Sequence, residues 1–386
     1  MSHVLELRTT PIHNVRIALL GLGERGLKTL GRYAHIRGAE IRCIVDIDAE
    51  KLAVANQALQ ASGRPKAEAI VGSEAWHDIC RRSDIDLIYI CTEWTTHTAM
   101  ACEAMSHGKH VAVEVPAATT VEECWQLVDT AELTQRHCFI TENCCYDKFF
   151  LTQLEINRHG LFGDVTYCEG AYIHELNADS WMTKRMMTHG GNPYPTHGLG
   201  PIGWLLGFHR GDRMEYLVSQ TAAGKNNLGR INNTLIKTHK GVSILLQIDV
   251  TTPRPYSRLQ TICGTKGFSQ KYPIPMLSIK EETNVLTGDS VWEYMNQYRE
   301  ENPALHYWEE GHRIGVPNEM NYAMDCRLMH CLHYGLPLDM DVYDAAEWSC
   351  IAELSRLSAE QGSKPVEIPD FTRGRWDILK EHKLYQ

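Results

Sequence analysis

The chain has 386 residues, enough for two domains at roughly 100–200 residues each. Its 38 Lys and Arg against 48 Asp and Glu leave a net charge of −10, which argues against nucleic acid or an anionic membrane as partner. No run nears the ~18 apolar residues of a membrane span, the start lacks the order of a signal peptide, and thirteen cysteines scattered through apolar stretches read as reduced thiols of a cytoplasmic protein.

In chain order, Val15–Leu20 is an apolar strand running straight into Gly21, followed by an amphipathic stretch to about Gly38 and a strand at Ile41–Val45 that ends on Asp46. Asp86–Cys91, His110–Val115 and Cys138–Thr141 are further strands, with helices predicted from about Thr96 to Gly108 and from Val121 to Arg136. Short apolar runs alternating with helical patterns are the mark of βα units in a parallel sheet. After about Phe149 the rhythm changes. Asp164–Glu175 reads as a strand, and Leu176–Thr196 as a long irregular segment rich in Asn, Gly, Pro, Met and His. Asn232–His239 and Val242–Thr251 flank Lys240-Gly241 as a hairpin, and Arg258–Cys263 and Gly267–Tyr272 flank Gly264-Thr-Lys-Gly267 as another. Two late helices, about Asn318–Tyr334 and Asp344–Gln361, complete the pattern. The expected architecture is α/β over residues 1–145, a dinucleotide-binding Rossmann domain, and α+β over 146–386, a substrate-binding and oligomerisation domain with a large, mostly antiparallel open sheet.

Gly21-Leu-Gly23-Glu24-Arg25-Gly26 is Gly-x-Gly-x-x-Gly set between a strand and a helix, the context that makes this pattern informative. Gly21 allows the tight turn, Gly23 lets a pyrophosphate approach the backbone, and Gly26 lets helix pack on strand. The helix N-terminus, around Glu24 and Arg25, then offers free N–H groups. Asp46, twenty residues beyond Gly26, is placed to bond the ribose hydroxyls, which favours NAD over its 2′-phosphorylated form. The carboxyl ends of later strands contribute Trp94 and His97, Glu114 and Val115, and Glu142-Asn143. Neither His189 nor His312 has ligand partners at metal spacing, so no metal is expected.

The glycine fingerprint, Glu114-Val115-Pro116, the antiparallel half and His197 together resemble the Gfo/Idh/MocA oxidoreductases. That family usually has Glu-Lys-Pro at this strand end, its lysine moving a proton at the oxidised carbon; Val115 cannot do so. The sequence is more specifically similar to glycoside hydrolase family 109, the NAD-dependent α-N-acetylgalactosaminidases. The residues that carry this likeness are Gly191-Asn-Pro-Tyr-Pro-Thr-His-Gly-Leu-Gly-Pro201, Gly211-Asp-Arg213, Tyr216-Leu-Val-Ser219, Pro253-Arg-Pro-Tyr-Ser-Arg258, Gly264-Thr-Lys-Gly267 and Pro369-Asp-Phe-Thr-Arg-Gly-Arg-Trp376. Two departures concern the substrate: Trp181–His189 is shorter and less arginine-rich than its counterpart, and the Gly311-His312 region lacks the fuller glycine pattern.

The resemblance implies hydrolysis of terminal α-linked N-acetylgalactosamine, or a related sugar, with NAD kept bound. Oxidation at C3 acidifies the C2 hydrogen, elimination expels the C1 leaving group, water adds, and reduction restores C3. By the same resemblance Tyr172, His197 and Tyr194 are catalytic: Tyr172 as the C2 base and His197 as proton shuttle, with the roles open to permutation. Tyr194 also faces the cofactor, while Tyr256, Glu142, Thr196 and Arg185 position the sugar. Relatives commonly pair through the open sheet, so a homodimer or homotetramer is expected. The competing readings are a net NAD-dependent sugar or inositol dehydrogenase and a non-catalytic NAD-binding regulator, because a fold alone does not give function.

Overall fold

Residues 2–227 and 229–386 are described by the computed structural model. Their first elements follow from short apolar, β-branched runs separated by helical segments: β1 (Val15–Leu20), α1 (Glu24–Tyr33), β2 (Ala39–Asp46), α2 (Ala49–Ala61), β3 (Glu68–Val71), α3 (Trp76–Arg81), β4 (Leu87–Ile90), α4 (His97–Ser106), β5 (His110–Val113), α5 (Val121–Thr134) and β6 (Cys138–Ile140). The strands pair in parallel in the order β3-β2-β1-β4-β5-β6. Chain order reverses between β1 and β4, so the ligand crevice of such a sheet lies at the carboxyl ends of these two strands. Strands β4, β5 and β6 are buried at every position, as expected of strands covered on both faces. Helix α5 starts with a reciprocal capping box between Thr120 and Glu123, which satisfies donors that a helix start leaves free.

The later elements are α6 (Lys148–Arg158), β7 (Val165–Ile173), α7 (Trp181–Thr188), α8 (Thr196–Leu206), β8 (Met214–Ala222), β9 (Ile231–Thr238), β10 (Ser243–Asp249), β11 (Ser257–Gly264), β12 (Gly267–Gln270), β13 (Met276–Ile279), β14 (Leu286–Thr287), α9 (Asp289–Met295), α10 (Pro303–Ile314), α11 (Glu319–Tyr334), α12 (Val342–Ser349), α13 (Ile351–Glu360) and β15 (Val366–Glu367). Nine strands form one sheet in the order β14-β13-β12-β11-β7-β10-β9-β8-β15. Among the described residues only the central β7–β10 pair of this sheet is parallel, the other pairings being antiparallel. Both expected hairpins are present, as β9–β10 and β11–β12. The segment expected to be irregular holds α7, started by the Ser180 hydroxyl accepting from Thr183 N. The last long helix is interrupted at Cys350 and becomes α12 and α13.

The chain clusters into two compact units. The first comprises the residues up to Thr141 together with His306–Ala346 and Leu384–Gln386, and the second Glu142–Leu305 with Glu347–Lys383. In the first, Asp325 of α11 accepts from buried Arg32 of α1 at 2.7 Å and from the Tyr89 hydroxyl at 3.1 Å. That pairing satisfies a charge otherwise very costly to bury. In the second, α8 lies on β7 through two glycines. A Cβ on Gly170 would stand 2.4 Å from the Gly198 carbonyl oxygen, and one on Gly198 would stand 2.7 Å from Ala171 N. No helix among the described residues is long and apolar enough to cross a membrane.

Candidate active site

The nucleotide-binding end of the first unit is built by its glycines. Gly21 has φ +87°, and a Cβ there would meet the Cys91 carbonyl oxygen at 2.7 Å; one on Gly26 would be 2.0 Å from the Gly21 carbonyl oxygen. A Cβ on Gly23 would meet nothing within 4 Å. Gly21 and Gly26 are therefore demanded by packing, while Gly23 faces open space at the N-cap of α1, which no side chain caps. Free amides beside an open approach suit a pyrophosphate. At the end of β2, the Asp46 carboxylate accepts from Leu22 N at 2.6 Å and from Asp48 N at 2.9 Å, so it fixes the glycine turn and keeps lone pairs for ribose hydroxyls. Arg25 Nε lies 3.4 Å from a Glu114 carboxylate oxygen, whereas Glu24 pairs with Lys28 on the surface. Trp94 and Val115 are buried near the strand ends. His97 departs from its expected role. It is fully buried, with one ring nitrogen 2.8 Å from the Pro116 carbonyl oxygen and the other 3.1 Å from that of Thr92. Both ring nitrogens thus face strand-end carbonyl oxygens, one of which the single N–H of the neutral ring can bond.

In the second unit the predicted sugar-facing residues come together. Alternation along β7 puts Tyr172 and His174 on one face, with ring centroids 5.9 Å apart and the Tyr172 hydroxyl 3.5 Å from His174 Nδ1. Tyr172 is 5.0 Å from the ring of Tyr194 and 5.3 Å from that of His197, and Tyr194 and His197 are 4.8 Å apart. Tyr256 joins through His174 at 5.4 Å and is 44% exposed. The loop before α8 is held from behind: Asn192 N donates to Ser355 Oγ at 2.8 Å, and Asn192 Oδ1 accepts from Tyr194 N at 3.2 Å. Thr196 is buried in the first turn of α8. Burial lowers His189 to about 4, and the charges of Arg356, Arg185 and Arg230 add to it.

His197 Nδ1 lies 2.8 and 2.9 Å from the two carboxylate oxygens of buried Glu142. Burial works to lower the imidazole, but the charges of Cys144 and Glu142 outweigh it and hold it up at about 10. Burial likewise works to raise Glu142, and the His197 charge overcomes it, leaving the carboxylate below its ordinary range. The pair is thus an imidazolium locked in orientation by a carboxylate. Asn143 sits in the same turn, its Oδ1 accepting from Cys144 Sγ at 3.5 Å.

Sequence reasoning did not single out Asp147, Lys271 or Cys144. Asp147 is buried and ion-paired with Arg258 at 2.7 Å and with Lys271. Leu259 and Gln260 on β11 both have positive φ, +56° and +57°, within a region of shifted register. That bulge turns Arg258 and Gln260 into one cavity wall beside His197. Arg258 ends the Pro253-Arg-Pro-Tyr-Ser-Arg258 stretch, but the bulge that aims it carries no glycine signal.

Residues 176–227 and 220–378 match the profile described as glycosyl hydrolase 109, C-terminal domain, and residues 15–142 match the oxidoreductase family with NAD-binding Rossmann fold. The chain is 51% identical, over 97% of its length and 96% of the relative's, to a Bacteroides fragilis protein named α-N-acetylgalactosaminidase. The chain belongs to glycoside hydrolase family 109. A family 109 protein of Phocaeicola vulgatus is also 51% identical, over 97% of this chain and 98% of its own. One from Porphyromonas gingivalis is 43% identical over 99% and 90%. Among solved structures, levoglucosan dehydrogenase in complex with NADH and levoglucosan superposes with a TM-score of 0.72 at 17% identity, covering 92% of this chain and 100% of that one. An oxidoreductase domain protein from Kribbella flavida gives 0.73 at 16%, over 92% and 100%; both show the shared fold. This family 109 member is therefore a glycosidase with an NAD-binding Rossmann domain.

Proposed function

We propose that this family 109 member hydrolyses terminal α-linked N-acetylgalactosamine by oxidation at C3, elimination across C1–C2, addition of water and reduction at C3. The observation that carries this reading is the Tyr172–Tyr194–His197 cluster with its imidazolium fixed by Glu142. The name of the 51% identical relative supports the sugar. Gly21, Gly23 and Gly26, the α1 amides and Asp46 would hold NAD, which supplies a hydride acceptor for C3 and returns the hydride at the end. The Tyr172 oxygen takes the C2 proton. The cationic His197 ring beside it stabilises negative charge on that oxygen and donates a proton to the departing C1 oxygen. Glu142 keeps Nδ1 engaged, so that only the opposite ring edge works on substrate. Tyr194 and the exposed Tyr256 orient the sugar. Oxidation at C3 also releases the hydroxyl proton, which passes to solvent and is taken back when C3 is reduced, so the cycle balances with Val115 in place of a lysine.

Turnover of an aryl α-N-acetylgalactosaminide in D₂O tests the reading. Deuterium at C2 of the released sugar is expected, and unlabelled product would refute the elimination. Steady accumulation of NADH would instead indicate a dehydrogenase. Self-association through the open sheet, where Tyr216 and Leu235 are exposed, belongs to the same proposal; light scattering should give a dimer or tetramer mass.

A further inference from the structure

We propose that Glu142, Cys144 and His197 form a binding site for one thiophilic divalent cation, zinc above all, whose occupation switches off the hydrolase. The inhibition half rests on the proposed roles of His197 and Glu142; the binding half does not. One ligand atom from each of the three side chains falls within 4.8 Å of the others, and all three residues are buried. An imidazole nitrogen, a thiol sulfur and a carboxylate oxygen are the donors zinc takes. Three protein ligands leave a fourth position open for water.

The backbone presents this set without rearrangement. Glu142 is the N-cap of a tight turn over Asn143–Tyr146, and its Oε1 accepts from Cys144 N at 3.0 Å. This hydrogen bond aims both side chains from one turn and orients a ligating carboxylate, as outer-shell bonds do in metal sites. His197 enters from the first turn of α8. Bonds of ~2.0–2.3 Å to zinc imply ligand–ligand separations near ~3.3 Å. The 2.8 Å contact between His197 Nδ1 and Glu142 must therefore open by about 0.5 Å, a side-chain movement within one turn. On binding, the cation takes the place of the His197 Nδ1 proton and of any proton on the Cys144 sulfur, and no redox change takes place. His197 then keeps a neutral ring and can no longer act as a cationic proton donor. The Arg258 guanidinium, which lines the same cavity wall as His197, opposes a cation, so binding must rest on the ligand bonds themselves. Hard cations such as magnesium gain little from a sulfur ligand and should not compete.

The test uses the NAD-loaded enzyme titrated with cobalt(II) as a spectroscopic substitute for zinc. A thiolate-to-cobalt charge-transfer band saturating at one equivalent is expected in the wild type and should be absent from Cys144→Ser. Zinc should inhibit wild-type hydrolysis reversibly, with chelator restoring it. Measured against its own zinc-free rate, Cys144→Ser should need at least tenfold more zinc for the same fractional inhibition, and magnesium should neither give a band nor inhibit. No thiolate band in the wild type, or unchanged zinc sensitivity in Cys144→Ser, overturns the site. A saturating band with no loss of hydrolysis keeps the site but overturns the switch, and with it the catalytic placement of His197 and Glu142.

Discussion

Gly198→Ala isolates the contact that sets His197 against Tyr172. The new methyl carbon would stand 2.7 Å from Ala171 N and 2.8 Å from Gly170 C. Both are backbone atoms of β7, so neither can swing aside as a flexible side chain would. Ordinary contact begins at 3.4 Å, and 3.4 − 2.7 gives a shift of 0.7 Å that α8 must make away from the sheet. Overpacking of this kind costs ~1–3 kcal/mol, offset by ~1 kcal/mol because alanine is the better helix former. The net loss of stability should therefore be no more than about 2 kcal/mol. Function should suffer more. Because α8 carries His197 and β7 carries Tyr172, the lift widens the spacing on which proton transfer depends. Misplacement by ~1 Å can cost ~100-fold in rate, so kcat should fall ~10- to 100-fold. Thermal denaturation, NAD titration and kcat on an aryl α-N-acetylgalactosaminide separate these effects. NAD affinity should be retained, since the glycine turn belongs to the other unit. Wild-type kcat together with an unchanged melting temperature would refute the packing argument.

The second and third glycines of the nucleotide turn should part company. Gly23→Ala should melt like the wild type yet bind NAD at least tenfold more weakly, whereas Gly26→Ala, 2.0 Å from a carbonyl oxygen, should fail to give a stable first unit in thermal melts. Glu142→Gln removes the charge that fixes His197 and should lower kcat ~100-fold or more with the fold intact by circular dichroism. Stability should fall on acidification. His110 accepts from His137 N at 3.2 Å, and burial lowers it to about 4 and His137 well below its ordinary value. The unfolded chain takes up these protons near pH 6.5 while the native state resists, so the contribution is complete above about pH 6.5 and wanes as pH drops toward 4. The loss amounts to ~1.4 kcal/mol per histidine at pH 5.5, measurable by urea denaturation, and a flat profile from pH 7.5 to 5.5 would contradict it.

The parts of the fold readable from sequence were those with strong local chemistry. Val15–Leu20 into Gly21, the hairpin around Lys240-Gly241, and the alternation that puts Tyr172 beside His174 all rest on periodicity or glycine geometry. Strand β3 gave no such signal, because Glu68–Val71 is mostly exposed at the sheet edge. Helix α7 hid in a segment whose methionines and glycines looked irregular, its start set by a single serine cap. His97 sat at a strand end, where ligands gather, and only tertiary contacts show both its nitrogens facing carbonyl oxygens. The Cys144 contact joins a turn to a helix start across more than fifty residues, with Glu142 and His197 separated by 55. No local pattern encodes such a meeting, nor the consecutive left-handed residues of β11 that turn Arg258 inward.

Because Asp325 closes over Arg32 only when α11 arrives, the nucleotide-binding unit is stitched from segments far apart in the chain. A ribosome must deliver more than three hundred residues before the partner of that buried arginine exists. Until then the nascent first unit has an unpaired guanidinium and an uncovered helix face. A fragment ending near residue 145 should accordingly stay partly open to protease, and the full-length chain should acquire resistance late and all at once.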